Sequence, residues 1–416
     1  MISIQLLNGI IWIGVIRMLK NVYPRTYQQV MRLGMKVLKI RKPALLEGEN
    51  SLLNLPQLIH SKGIQSVLIV TDKGITSLGL MNGLLEQLSN VNISYVIFDE
   101  TVPNPTIQNI EHARALYFEN GCEAIIAFGG GSPIDCAKGV AARIVRPDKT
   151  IPQMKGMFKI LKEMPPFFAV PTTAGTGSEA TVASIISNPE THEKYAIMDF
   201  VLVPHYAVLD PTITINLPKH ITSTTGMDAL THAIESYIGR SNTNETREYS
   251  REAVQLIYDN LLVAYNEPYN LEARANMQRA AYLAGMAFTR AYVGNVHAIA
   301  HTLGGFYNVP HGLANAVIMP YVLEYYGESV HKSLAELADL VGLAVGKSEK
   351  EQAEAFIEWI REMNRQMEIP TKIKGIQTKD IPVMAKRAIA EANPLYPVPK
   401  IMNLKDMAYM YMAIRG

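Results

Sequence analysis

Residues 124–139 read Ala124-Ile125-Ile126-Ala127-Phe128-Gly129-Gly130-Gly131-Ser132-Pro133-Ile134-Asp135-Cys136-Ala137-Lys138-Gly139. Five apolar residues of strand type are followed by three glycines, and a helical pattern then opens with Pro133 in its first turn. Proline is tolerated there because the N–H it lacks would have had no partner in the helix. Glycine lets the chain turn sharply and lets a ligand come close to the backbone. The helix start offers free N–H groups and the positive end of the dipole, a seat for a diphosphate. Gly130, Gly131, Ser132 and Asp135 are the candidate contacts of that seat. The stretch is not the G-x-G-x-x-G of ordinary dinucleotide folds. Taken alone, it is equally well explained as a tight strand–helix turn without a ligand.

The same design recurs in Phe167-Phe168-Ala169-Val170-Pro171-Thr172-Thr173-Ala174-Gly175-Thr176-Gly177-Ser178-Glu179, where Thr172, Thr173 and Thr176 are candidates. Two such turns, each after a strand, suit a ligand in the crevice above an open α/β sheet. The apolar run 67–71 ends in Asp72. A carboxylate there can hold the hydroxyls of a ribose and repel a 2′-phosphate, which favours NAD over NADP; an acid at that place also serves as a helix N-cap. Asn104, between Pro103 and Pro105 after the run 93–98, is either a ligand contact or a turn residue.

Short apolar runs at 67–71, 93–98, 124–128, 167–170, 182–187 and 206–209 alternate with helical segments. That alternation predicts an α/β domain with a mainly parallel, Rossmann-like sheet. After Asp210-Pro211 and Leu217-Pro218 the pattern turns helical, for instance over Arg251–Asn260, Glu272–Phe288, Leu334–Val345 and Gln352–Met363. The expected organisation is an extension over 1–44, an α/β nucleotide domain over 45–216 and an all-helical domain over 217–416. A chain of 416 residues is long enough for two full cores. A net charge of +1 offers no field for nucleic acid. Cys122 and Cys136 lack metal or redox spacing and read as reduced, small apolar side chains, as expected of a cytoplasmic protein.

The helical part supplies a metal-binding pattern. Asp228 and His232 are four apart in Gly226-Met227-Asp228-Ala229-Leu230-Thr231-His232-Ala233-Ile234-Glu235, so both lie on one helix face. His297 and His301 repeat the spacing, and His311 follows in Val309-Pro310-His311-Gly312. One carboxylate and three imidazoles, Asp228, His232, His297 and His311, suit a borderline ion such as Fe²⁺ or Zn²⁺ better than Ca²⁺ or Mg²⁺, which prefer oxygen shells. With the phosphate-type turns in one domain and these residues in the other, the site belongs in the cleft between them.

The segments 129–138, 171–179, 226–235 and 297–316, in this order, resemble the iron-containing (group III) alcohol dehydrogenase family, from about Leu45 to the C-terminus. The resemblance implies a two-domain architecture like that of dehydroquinate synthase. It implies Fe²⁺, with Zn²⁺ as the alternative, on Asp228, His232, His297 and His311. His301 would stand beside the substrate as proton acceptor or relay. Nucleotide contacts would fall on Asp72, Asn104, Gly131, Ser132, Thr172 and Thr173, with Lys194 near the nicotinamide ribose. The implied reaction exchanges a hydride between a small primary alcohol, or the aldehyde in reverse, and NAD, in a homodimer or larger homo-oligomer. Chemically, an alcohol of pKa about 16 needs a Lewis acid to lose its proton near neutrality. Two other readings stand beside this one. The first is a hydroxyacid–oxoacid transhydrogenase or another polyol or hydroxy-acid dehydrogenase on the same fold. The second is a non-catalytic, membrane-peripheral or scaffolding protein.

Two stretches depart from the family. In Ala284-Gly285-Met286-Ala287-Phe288-Thr289-Arg290-Ala291-Tyr292-Val293-Gly294, Arg290 and Tyr292 stand where relatives carry small or amide side chains. Arg290 is expected either to meet an acidic substrate group or narrow the pocket, or to form an internal salt bridge. Residues 1–42 carry eight basic side chains and no acid. The apolar run 10–16 is far short of the ~20 residues that cross a bilayer. Residues 27–40 form an amphipathic pattern with Val30, Leu33, Gly34, Val37 and Leu38 together. Packing on a neighbouring subunit is the favoured expectation, with peripheral contact to an anionic membrane through residues 1–42 as the alternative.

Overall fold

The computed structural model describes residues 22–34, 40–188 and 193–416. Among them the first domain carries nine strands: β1 Ala44–Glu47, β2 Ser66–Val70, β3 Ser94–Phe98, β4 Ala124–Gly129, β5 Gly156–Met157, β6 Phe167–Pro171, β7 Ala183–Asn188, β8 Glu193–Met198 and β9 Tyr206–Leu209. Six form one sheet in the order β1-β9-β6-β4-β2-β3, with every neighbouring pair parallel. β4 and β6 are buried along their whole length, as expected for central strands of a sheet covered on both faces. The chain moves outward from β2 to β3 and then returns to place β4 on the other side of β2. The reversal opens a crevice at the carboxyl ends of the strands.

The two glycine-bearing turns meet at that edge. β4 and β6 pair in register, with Gly129 opposite Pro171, and the Thr172 N–H donates to the Gly129 carbonyl at 3.0 Å. Gly129 has φ +151°, and a Cβ there would stand 2.5 Å from Pro133 Cγ, so no other residue fits without moving the helix start. The Gly131–Val145 helix follows directly. Its Lys138 is fully buried and donates to the carbonyl oxygens of Ser178, Thr181 and Ala183 and to Thr181 Oγ1, at 2.7 to 2.9 Å. One ammonium group thus fastens the first turn to the second and to the start of β7.

The expected strands are present, and the main sheet is wholly rather than mainly parallel. Antiparallel pairing is confined to β7 and β8, which with β5 make a separate three-stranded sheet. β1, β5 and β8 were not foreseen. β1 is a four-residue edge strand with Leu45 exposed, and β5 has two residues, so neither shows an apolar period.

From Lys219 onward the chain is helical. The Lys219–Ile238 helix is buried on all sides from Gly226 to Ile238, which marks it as the centre of its domain. The Asn244–Asn266, Leu271–Ala291 and His311–Tyr326 helices pack around it. The helix expected over Leu334–Val345 runs instead over His331–Leu340. Gly342 at φ +73° ends it, and Leu343 N returns to the Ala338 carbonyl at 2.8 Å, the bond pattern of a left-handed C-terminal cap. Where the domains touch, Gly177 and Gly285 bring their backbones together: a Cβ on Gly285 would stand 2.6 Å from the Gly177 carbonyl oxygen.

Residues 22–34 form a helix. Gln28 on it is buried, while Val22, Tyr23, Val30 and Leu33 are exposed, so the expected apolar face is not covered by the described residues of this chain. Val37 and Leu38 of the expected apolar face lie outside the described residues. No helix among the described residues is long and apolar enough to cross a membrane.

Replacing Lys138 by Met should leave the Ser178, Thr181 and Ala183 oxygens buried without their donor. The expected cost is about 3 kcal/mol or more of unfolding free energy, read by urea denaturation; an unchanged midpoint would contradict this role for the ammonium.

Candidate active site

The central helix places Asp228 and His232 one turn apart, both at most 4 % exposed. The Asn295–Tyr307 helix brings His297, buried, and His301; the His311–Tyr326 helix begins with His311. One ligand atom from each of Asp228, His232, His297 and His311 lies within 4.8 Å of every other. Four donors gathered on that scale would hold one divalent ion.

The protonation of the ring nitrogens also fits. Glu235, on the same helix as Asp228, accepts from His297 Nδ1 at 2.6 Å and from the backbone N–H groups of Gly294 and Val296 at 2.7 and 2.8 Å. With Glu235 ionised, the proton of His297 lies on Nδ1, and the Nε2 lone pair faces Asp228 Oδ1, 3.8 Å away. Burial lowers the pKa of His232 and drives that of His297 well down, with the neighbouring imidazoles adding to the effect on His297. His311 falls to about 3, chiefly through burial, against the opposing pull of Asp228. All three rings are thus neutral near pH 7, with lone pairs free of proton competition. Asn315 Nδ2 stands among the ligand atoms, 2.6 Å from Asp228 Oδ1 and 3.2 Å from both His297 Nε2 and His311 Nε2. The neutral amide NH2 of Asn315 therefore offers its two N–H donors where these lone pairs converge.

His301 adjoins this group without belonging to it. Its ring stacks on His311 with centroids 5.1 Å apart, and its Nδ1 lies 2.6 Å from Glu391 Oε1. The Tyr396 hydroxyl donates to the same carboxylate oxygen at 2.8 Å.

A cavity of about 280 Å³ joins these residues to the first domain. Its nucleotide-side wall includes Asn104, Gly131, Ser132, Asp135, Thr176 and Lys194; its apolar wall includes Val182, Ile185, Met198, Phe288, Tyr292 and Val293. Lys194 on β8 donates to Asn104 Oδ1 at 2.6 Å, and the Asn104 N–H donates to Ser132 Oγ at 3.3 Å. Residues 104, 132 and 194, remote in sequence, thus form one polar cluster. Burial lowers the pKa of Lys194, against the pull of Glu391. Asp135 lines the cavity, yet both its oxygens are engaged, by Ser178 Oγ at 2.7 Å and Ile185 N at 3.0 Å. Burial pushes its pKa up, with Lys138 opposing. Asp135 is therefore a tie between the first turn and the three-stranded sheet.

Other sequence candidates stand apart from the cavity lining. Asp72 caps the Lys73–Ser77 helix, accepting from Ile75 N at 3.0 Å. Thr172 is buried behind the strand ends, and Thr173 lies against Gly130, whose Cβ would meet it at 3.4 Å. Arg290 takes the internal ion pair that was one of its two expected roles. Its Nε is 3.9 Å from Glu245 Oε2, and it is not among the cavity-lining residues. On the helix that ends at Ala291, Phe288, Thr289 and Tyr292 face the cavity, and a residue two beyond Phe288 points to the far side. Tyr292 is the residue that narrows the pocket. It holds φ +65° and ψ 176°, a region that side chains rarely enter.

Glu235, Asn315, Glu391 and Tyr396 were not singled out from the sequence. Glu235 lies three and seven residues beyond two ligands on a helix, and Asn315 lies four beyond His311, so helical spacing could have found both. Glu391 and Tyr396 carry no local signal.

A His₃Asp cluster facing a strand–glycine–helix turn across a closed cleft defines a metal- and nucleotide-using oxidoreductase. The comparisons sharpen the class. Residues 43–211 match the family model for iron-containing alcohol dehydrogenase, and residues 222–414 match the C-terminal model of the Fe-containing alcohol dehydrogenase family. The chain belongs to the iron-containing alcohol dehydrogenase family. It is similar to alcohol dehydrogenase 4 of Saccharomyces cerevisiae, 37 % identical over 378 residues, which cover 89 % of this chain and 97 % of that protein. It is similar to a solved structure of 1,3-propanediol oxidoreductase, with TM-score 0.86, 34 % identity, and 90 % and 99 % of the two chains covered. It is also similar to sulfoacetaldehyde reductase from Bifidobacterium kashiwanohense in complex with NAD⁺, with TM-score 0.79, 26 % identity, and 91 % and 98 % covered.

Glu235→Gln should weaken metal binding by roughly 10- to 100-fold, the usual effect of removing the partner that orients a ligating imidazole. Competition with a chelator of known affinity measures this. A variant that holds metal as tightly as the parent would remove Glu235 from the account.

Proposed function

We propose that this chain oxidises small primary alcohols to aldehydes, and reduces them in the opposite direction, with NAD and a single Fe²⁺ as cofactors. The observation that carries the reading is the convergence of Asp228, His232, His297 and His311 on one side of a cleft whose opposite side holds Gly131, Ser132, Asn104 and Lys194. Asp228, His232, His297 and His311 hold the ion; when bound, it supplies the Lewis acidity that brings an alcohol hydroxyl towards neutral pKa and polarises a carbonyl in reverse. Gly131 and Ser132 at the helix start, with Thr176 on the second turn, receive the diphosphate of the nucleotide. Lys194, held by Asn104, faces the nicotinamide end. Asp72 stands at the adenosine end, where its charge disfavours a 2′-phosphate.

His301 handles the proton. The Glu391 carboxylate fixes the His301 proton on Nδ1, which leaves Nε2 as the acceptor. Glu391 then stabilises the imidazolium that forms when Nε2 takes the hydroxyl proton. The apolar wall of Phe288, Tyr292 and Val293 excludes water and receives the alkyl part of the substrate. Arg290 stands near Glu245 and does not line the cavity.

The test is turnover of chelator-stripped protein reloaded with Fe²⁺ or Zn²⁺, with NAD or NADP, across short alcohols, diols and hydroxy acids. Full activity of the stripped protein would sink the reading. His301→Ala should lower kcat by about 10²-fold or more, the scale of general acid–base catalysis, while metal content stays at the parent level. An undiminished kcat would take His301 out of the proton path.

A further inference from the structure

The helix over 22–34 precedes both matched family regions, the first of which begins at residue 43. A surface helix ordinarily buries an apolar stripe. This one buries Pro24 and also docks through two polar side chains. The Gln28 amide nitrogen donates to the carbonyl oxygens of Tyr396 at 2.7 Å and Pro394 at 3.2 Å, and Gln28 is 5 % exposed. The Arg25 guanidinium donates to the carbonyl oxygens of Val398 at 2.7 Å and Pro399 at 3.1 Å, and to Gln28 Oε1 at 3.0 Å. The last bond fixes the orientation of the amide, so its nitrogen must face the turn. Two side chains of one helix therefore hold four carbonyls of one turn, residues 394–399, which has no helix or strand of its own. Contacts of this kind set position more than they add burial.

That turn reaches the cavity. Tyr396 lines it, and its hydroxyl shares one oxygen of Glu391 with His301 Nδ1. Tyr292 lines the same cavity.

We propose that the N-terminal helix is a component of the alcohol pocket: through Gln28 and Arg25 it fixes the 394–399 turn, and so sets the placement of Tyr396 and the choice of alcohol. Gln28 and Arg25 are positioning residues, acting through Tyr396 and its bond to Glu391. The inference rests on the reading of this cavity as the alcohol site.

The experiment uses the full chain, loaded with Fe²⁺ and NAD, and measures kcat and KM over straight-chain primary alcohols of increasing length. In Gln28→Met the KM for the best alcohol should rise about tenfold, the scale on which a pocket discriminates a single methylene. The ratio of kcat/KM between long and short alcohols should shift by a similar factor, with iron content and NAD affinity unchanged. Leu33→Ser, on the exposed side of the same helix, should leave the profile as it was. Arg25→Lys is the milder second variant, since an ammonium cannot hold both carbonyls as the planar fork does. Hydrogen exchange of residues 393–403 should quicken in both Gln28→Met and Arg25→Lys, and this readout needs no turnover. An unaltered length profile, or unaltered exchange, in the positioning variants overturns the inference. Failure of the parent protein to turn over any alcohol overturns the proposed function instead.

Discussion

The bond on which the site depends joins Glu235 to His297. Glu235 sits on the central helix with Asp228 and His232, and its carboxylate spans to the start of the next ligand-bearing helix, taking the N–H groups of Gly294 and Val296 and His297 Nδ1. Burying a carboxylate costs several kcal/mol unless it is well partnered. Three donors supply that partnership, although burial still pushes the Glu235 pKa up to about 8. The same contacts decide which His297 nitrogen carries the proton, and hence which lone pair faces Asp228. Register between two helices, tautomer and ligand geometry are settled by one side chain. Gly294 belongs to this constraint, since a Cβ there would stand 2.6 Å from Glu235 Oε1.

The sheet supplies the other half of the cleft by topology alone. Because β4 returns beside β2, the turns after β4 and β6 share one edge, and Lys138 and Asp135 lock them to each other and to β7. Lys194 then reaches the cleft from β8, in a sheet whose strand neighbours are set by pairing over only a few residues. The close approach of Gly177 to Gly285 brings the second turn against the helical domain. The cavity is consequently roofed by one domain and floored by the other, which is what a reaction shielded from water requires.

Much of this was legible in the chain because it is written in local spacing. Asp228 and His232, His297 and His301, and the two strand–glycine–helix turns are each short patterns with a geometric meaning at that length. Glu235 and Asn315 obey the same helical spacing and were passed over only because they are not themselves ligands. What could not be read was what depends on distant pairing: the two-residue β5, the strand β8 that opens with Glu193 and Lys194, and the meeting of His301 with Glu391 across 90 residues of sequence. Arg290 shows a different limit. Its bulk and charge drew attention, but rotation around the helix carries it to Glu245 and gives the pocket to Tyr292. The N-terminal helix shows a third. Its apolar pattern was visible, yet the side chains that tie it to the 394–399 turn are Arg25 and Gln28, because what they meet there is a set of backbone carbonyls.

These limits bear on where selectivity resides. The ion and the nucleotide act on the carbinol carbon and its oxygen, which are common to every primary alcohol, so they cannot distinguish one from another. Discrimination must come from the walls around the alkyl part, where each buried methylene is worth about 0.8 kcal/mol and a misplaced wall forfeits it. Tyr292 and Tyr396 are the bulkiest of those walls. Neither is held by a regular element: Tyr292 sits just beyond a helix end in a costly backbone conformation, and Tyr396 sits in an irregular turn. The turn that carries Tyr396 is supported by Gln28 and Arg25, which belong to a segment that lies before the matched family regions. Members of one family can therefore share a reaction centre while differing in substrate, without any change to the residues that perform the chemistry.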